Sequence, residues 1–116
     1  MTKTIAIIGA GGQMGKWLSD HFVKKGFEVT GFDTENQIPT NIKKAESLIS
    51  AILNKEYVLL STPTKKTPEI IRLIAKEMRR ESYLIDITSQ KSKTATALGK
   101  IPAKVCPVCI LSLIHI

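Results

Sequence analysis

The chain has 116 residues, 43% of them hydrophobic and 23% charged, which suits one packed globular domain or part of one and argues against a disordered chain. No apolar run approaches the ~20 residues of a membrane span, and the opening MTKTIAIIGAG holds too short an apolar stretch for a secretory leader, so a cytoplasmic protein without membrane partners is expected. The net charge of +7 is spread over separated pairs (Lys24-Lys25, Lys43-Lys44, Lys65-Lys66, Arg79-Arg80) and aromatics are only 5%, a pattern of solvated helix surfaces rather than of a nucleic-acid platform.

Residues 4–8 (TIAII) are a short apolar, β-branched run closed by glycines, the pattern of a strand buried on both faces. From Met14 the period turns helical, with Met14, Leu18 and Phe22 on one stripe and Trp17 and His21 beside it; Lys24 and Lys25 suit the helix C-terminus and Gly26 supplies the stop. FEVTGFD (27–33) reads as a second strand, completing a β-α-β unit. After Pro39, apolar residues at Ile42, Ala45, Leu48, Ile49, Ile52 and Leu53 predict a helix. No third strand stands out between Asp33 and Tyr57, so one sheet edge is expected to be trimmed. YVLLSTP (57–63) is another strand. Thr67-Pro68-Glu69 then announces a helix with a hydroxyl cap, an early proline and an acid in the first turn, its stripe formed by Ile70, Ile71, Leu73, Ile74 and Met78 and its end by Arg79-Arg80. YLIDITS (83–89) follows as a strand, then a weak helix over 93–98 and a further strand in AKVCPVCI (103–110), against which Pro107 speaks. Strands alternating with helices predict an α/β fold: a Rossmann-like, doubly wound parallel sheet with helices on both faces and right-handed crossovers, incomplete at its C-terminal end.

The chemistry concentrates in GAGGQMG (9–15). Counted from Gly9, the spacing G-x-G-x-x-G is met at Gly11 and fails at Met14; counted from Ala10, it is met at Gly12 and Gly15, and Ala10 stands where the first glycine belongs. Small residues here let the backbone turn tightly, approach a pyrophosphate and pack helix against strand, while the helix start offers free N–H groups to the phosphates. The run follows a buried strand, opens an amphipathic helix and leads to a second strand ending in Asp33, the context a dinucleotide site requires. Gly9, Ala10, Gly11, Gly12, Gln13, Met14 and Gly15 are therefore candidate cofactor residues. Asp33 is placed to accept hydrogen bonds from an adenosine ribose diol. A 2′-phosphate there would meet a like charge, and two unit charges ~4 Å apart repel by about 4 kcal/mol at an effective dielectric of 20. Thr34, Glu35 and Asn36 provide no cation to offset it, so NAD is expected and NADP is less favoured.

At this point the sequence resembles the prephenate dehydrogenase family, specifically its nucleotide-binding half. GAGGQMGKW is similar to the family's G-G-x-G-x-M-G, which favours the register of Gly12 and Gly15. Ser61-Thr62-Pro63 looks like the strand end that borders the nicotinamide ribose, and DITSQKS (86–92) is close to D-x-T-S-x-K-S. The resemblance spans residues 4 to about 105. It implies oxidation of prephenate, or of arogenate, with loss of carbon dioxide in tyrosine biosynthesis, with Ser89 matching the serine that orients a catalytic histidine, and it implies a homodimer held by a downstream helical domain. The histidine itself has no match. His21 falls within the first helix, and His115 lies in the tail LSLIHI, which is unlike the family and reads as the translation of a transposon-end adapter.

Residues 1–110 are thus expected to be a partial NAD-binding domain and 111–116 a non-native tail, with the chain inactive alone. Cys106 and Cys109 form a lone C-x-x-C, and no metal site is expected. Two alternatives stay open: a related two-domain β-hydroxyacid or imine reductase, and a non-catalytic NAD-sensing regulatory module.

Overall fold

The computed structural model describes residues 3–61, 66–86 and 105–109, the last as a backbone strand. Among the described residues six strands form one parallel sheet: β1 (Thr4–Ile8), β2 (Glu28–Phe32), β3 (Lys43–Lys44), β4 (Tyr57–Leu60), β5 (Ser82–Asp86) and β6 (Val105–Cys109), in the order β3-β2-β1-β4-β5-β6. This is the doubly wound order, in which the chain reverses direction across the sheet between β1 and β4. The alternation of side chains along the central strands divides the core in two. Ala6, Ile8, Val58, Leu60 and Leu84 point to one face, under Ala51, Ile52, Ile71, Ile74 and Met78. Ile5, Ile7, Val29 and Leu59 point to the other, under Leu18 with Phe22 and Val23 packed beside it. Burial on both faces explains why β1 and β4 read as continuous apolar runs.

Helix α1 (Gln13–Lys24) ends as its glycine foretells. Gly26 adopts φ +88°, its N–H donates to the Val23 carbonyl at 3.0 Å, and the Phe27 N–H donates to the Phe22 carbonyl at 3.0 Å. These are the paired bonds of a Schellman stop, and the accompanying apolar contact is the Phe22–Phe27 ring pair at 5.0 Å. Of the expected stripe, Leu18 and Phe22 pack on the core and Met14 does not. Gly15, Leu18 and Ser19 face the sheet, whereas Met14 is 55% exposed. Close approach at Gly15 puts the glycine, not Met14, against the end of β1, while Leu18 and Phe22 still cover the sheet farther along.

Three other expectations are corrected. The helix predicted from Ile42 to Leu53 is replaced by a two-residue strand, β3, and a short helix, α2 (Leu48–Ile52). The spacing misleads because Ile42 reaches Gly31 from beside β3: a Cβ built on Gly31 would lie 2.6 Å from its Cδ1. The edge is therefore short but present. Helix α3 (Thr67–Ile74) has Lys66, not Thr67, as its N-cap, with no side-chain cap bond. Thr67 is fully buried as the first helical residue, and Leu73, expected inside, is half exposed. A 3-10 turn, Ala75–Glu77, carries the chain to Met78. Among the described residues β6 pairs with β5 alone, an edge position of the kind where a proline such as Pro107 is tolerated. The weak helix over 93–98 and the tail 111–116 lie outside the described residues.

Candidate functional site

The carboxyl ends of β1, β2 and β4 lie at one edge of the sheet, and because β1 lies between β2 and β4, the glycine turn stands between the ends of the other two strands. Both glycine registers are used. Gly9, at φ +88°, makes the left-handed step that the first position needs. Ala10 keeps a negative φ and is fully buried, so its methyl group is no obstacle. The N–H groups of Gly9 and Ala10 donate to the Phe32 carbonyl at 2.7 and 3.2 Å, and that of Gly12 donates back to the Gly9 carbonyl at 3.2 Å. Gly15 secures the packing: a Cβ there would stand 2.1 Å from the Gly9 carbonyl oxygen and 2.8 Å from the Ala10 Cα. At Gly11 a Cβ would meet Asn36 at 2.6 Å.

Gly12 differs from these. It is the N-cap of α1 in extended backbone, φ −74° and ψ 172°, and a Cβ on it would find nothing nearer than 3.6 Å. The first intrahelical bond runs from the Lys16 N–H to the Gly12 carbonyl at 2.9 Å, so the amides of Gln13, Met14 and Gly15 have no acceptor within the helix. Gly12 has no side chain to cap them, no acid lies in the first turn, and among the described residues no other side chain bonds to them. The arrangement is three N–H groups without helical acceptors at the positive end of a helix dipole, which fits the oxygens of a diphosphate.

Asp33 is more occupied than its sequence position suggests. Oδ2 accepts from the Gly11 N–H at 3.0 Å, and Oδ1 accepts from the N–H groups of Glu35 at 2.8 Å and Asn36 at 2.9 Å. Burial acts to raise its pKa, but the backbone donors of Glu35, Asn36 and Gly11, with the Asn36 side chain, outweigh it and hold the carboxyl below its ordinary value. A carboxylate offers about four lone-pair positions; three accept backbone N–H groups and the Asn36 side chain adds a further stabilising contact, so Asp33 braces the glycine turn against the β2 loop.

Ser61 borders the same turn, its N–H donating to the Ile8 carbonyl at 2.8 Å. Asp86 ends β5 and is buried, level with Leu60. Thr62, Pro63, Ser89 and His115 lie outside the described residues. His21 stands roughly two turns along α1 from the glycine turn, stacked on Trp17 with ring centroids 5.4 Å apart, away from the carboxyl end. Sequence reasoning missed Lys66. Its Nζ lies 2.7 Å from Glu35 Oε1, which brings a cation beside the loop where none was found among residues 34–36. The signal was its place immediately before the Thr67-Pro68 helix start, which in a doubly wound sheet returns to the ligand-binding edge.

The sheet order, glycine turn and strand-end carboxylate define a dinucleotide-binding domain. Residues 4–105 match the family described as the NAD binding domain of 6-phosphogluconate dehydrogenase, and the chain belongs to that family; its cofactor is NAD. A probable arogenate/prephenate dehydrogenase of Methanocaldococcus jannaschii is 31% identical over 101 residues, covering 82% of this chain and 23% of that protein. Among solved structures, glycerol-3-phosphate dehydrogenase from Coxiella burnetii superposes with a TM-score of 0.77 at 18% identity, covering 93% of this chain and 40% of that one. A semialdehyde dehydrogenase NAD-binding protein from Cupriavidus necator, solved with calcium and NAD, gives 0.73 at 21% identity, covering 94% and 41%. The chain therefore spans about a quarter of the curated relative and two-fifths of these structures.

Proposed function

We propose that this chain is the nucleotide-binding half of an NAD-dependent dehydrogenase of the prephenate or arogenate type. The observation that carries the reading is the juxtaposition of the free amides of residues 13–15 with the Asp33 carboxylate, which is tied to Gly11 in the same turn. The amides hold the diphosphate; Asp33 accepts a ribose hydroxyl and disfavours a 2′-phosphate, so NAD is preferred over NADP. When bound, NAD supplies the acceptor for a hydride. Ser61, with Thr62 and Pro63 next to it in sequence, borders the nicotinamide ribose, and Ser89, from DITSQKS, orients the group that takes the substrate's hydroxyl proton. The substrate assignment is supported by that motif and by the Methanocaldococcus relative.

Neither histidine of this chain matches the proton acceptor, so the chain alone binds NAD without turning over substrate. Titration with NAD, and assays of NADH formation from prephenate and from arogenate, test this in two parts. The account expects saturable binding to the 116-residue chain and turnover only by a protein that supplies the histidine. Absence of NAD binding would contradict the whole reading, and turnover by the chain itself would contradict the assignment of the missing base.

A further inference from the structure

Glu35 and Lys66 come from loops on opposite sides of the glycine turn, 31 residues apart in sequence. Their ion pair therefore links the segments that follow the strands on either side of β1, near Asp33. The pair is open to water, with side-chain exposures of 52% for Lys66 and 63% for Glu35, and such pairs are weakly held and exchange partners readily. The Lys66 ammonium is raised in pKa first by the hydrogen bond it donates to Glu35 and by the Glu35 charge, against an opposing effect of burial, and also by the charge of Asp33, so it lies within electrostatic reach of both carboxylates.

We propose that Lys66 and Glu35 together set nucleotide specificity: Glu35 ties the Lys66 ammonium into a neutral pair beside Asp33, and removing the Glu35 charge frees that ammonium to bind a 2′-phosphate. The inference rests on the cofactor reading above and extends it to a residue outside the β2 loop. With Asp33, Glu35 and Lys66 all ionised, the adenosine end carries one net negative charge, which repels a phosphate. Neutralising Glu35 brings the sum to zero and leaves an unpaired ammonium, a strong phosphate donor.

The test is titration calorimetry of the chain with NAD, NADP, ADP-ribose and 2′-phospho-ADP-ribose, the last two probing the adenosine end without the nicotinamide. Glu35→Gln is expected to tighten binding of both 2′-phosphorylated ligands about tenfold, the range of one hydrogen bond to a charged group, while NAD and ADP-ribose move much less. Adding Lys66→Met to Glu35→Gln is expected to abolish the gain, and raising the salt concentration to shrink it. An NADP-to-NAD affinity ratio unmoved in Glu35→Gln, with wild-type binding of NAD intact, overturns this inference alone, as does a gain that survives Lys66→Met. A wild-type chain that bound neither NAD nor ADP-ribose would contradict the cofactor reading and this inference with it.

Discussion

The two loops that flank the carboxyl end of β1 and β2 are built by different forces. The turn from Gly9 to Gly15 is fixed by shape: one left-handed residue, one buried alanine and one glycine whose missing Cβ lets α1 pack on β1. The loop from Asp33 to Asn36 is fixed by charge and hydrogen bonds, with a single carboxylate gathering three backbone N–H groups. A surface made by shape recognises what every dinucleotide shares, its diphosphate. A surface made by charge distinguishes one nucleotide from another. The Gly11 N–H donating to Asp33 joins the two, so the discriminating group also steadies the common one.

The contrast is open to direct attack. Gly15→Val should do most damage, because its new atoms meet main chain at 2.1 and 2.8 Å with no side chain to move aside; a loss of about 3 kcal/mol, at the upper end for overpacking, is expected in urea unfolding. Asp33→Asn should cost about 1 kcal/mol or less at neutral pH, since the site is partly exposed, and should narrow the preference for NAD over NADP. Its pH dependence has a definite sign. The folded carboxyl titrates below its unfolded value, so its stabilisation is complete above the unfolded pKa and disappears as pH falls through the depressed one. Wild type and Asp33→Asn should therefore converge in acid, and a constant gap would contradict the assigned hydrogen bonds. Ser47 caps α2 reciprocally with Ser50, at 3.1 Å in each direction, and Ser47→Ala should cost about 0.5 kcal/mol, the low end for a cap. Smallest of all, Glu28→Gln breaks an exposed pair with Lys43 at the β3 edge and should leave the unfolding midpoint unmoved.

The same contrast decides what was legible in sequence. Shape-built parts announce themselves locally. The buried runs 4–8 and 57–60, the Gly26 stop and the glycine spacing at 9–15 each depend on neighbours a few residues away, and the doubly wound order follows from their alternation. What escaped was set across the sheet. Ile42 belonged beside Gly31 and not to a helix, Met14 was turned outward by the demand at Gly15, and Lys66 reached Glu35 from 31 residues away. The division of labour between Gly9 and Ala10 was half legible: the alanine in the first glycine's place could be seen in the sequence, but not that Gly9 would take the left-handed step while both amides donate to the Phe32 carbonyl across the sheet.

The central claim is that the bare amides beginning α1 receive a diphosphate, and Gly12 permits a clean test. Its extended backbone accepts a β-branched residue and a Cβ has room, yet an N-cap side chain projects over the very amides in question. Calorimetric titration of NAD into Gly12→Val, beside a thermal unfolding scan, should show affinity reduced by at least about tenfold, some 1.4 kcal/mol, with the melting temperature little changed. Undiminished NAD affinity in that variant would mean that the diphosphate, if held at all, is held elsewhere.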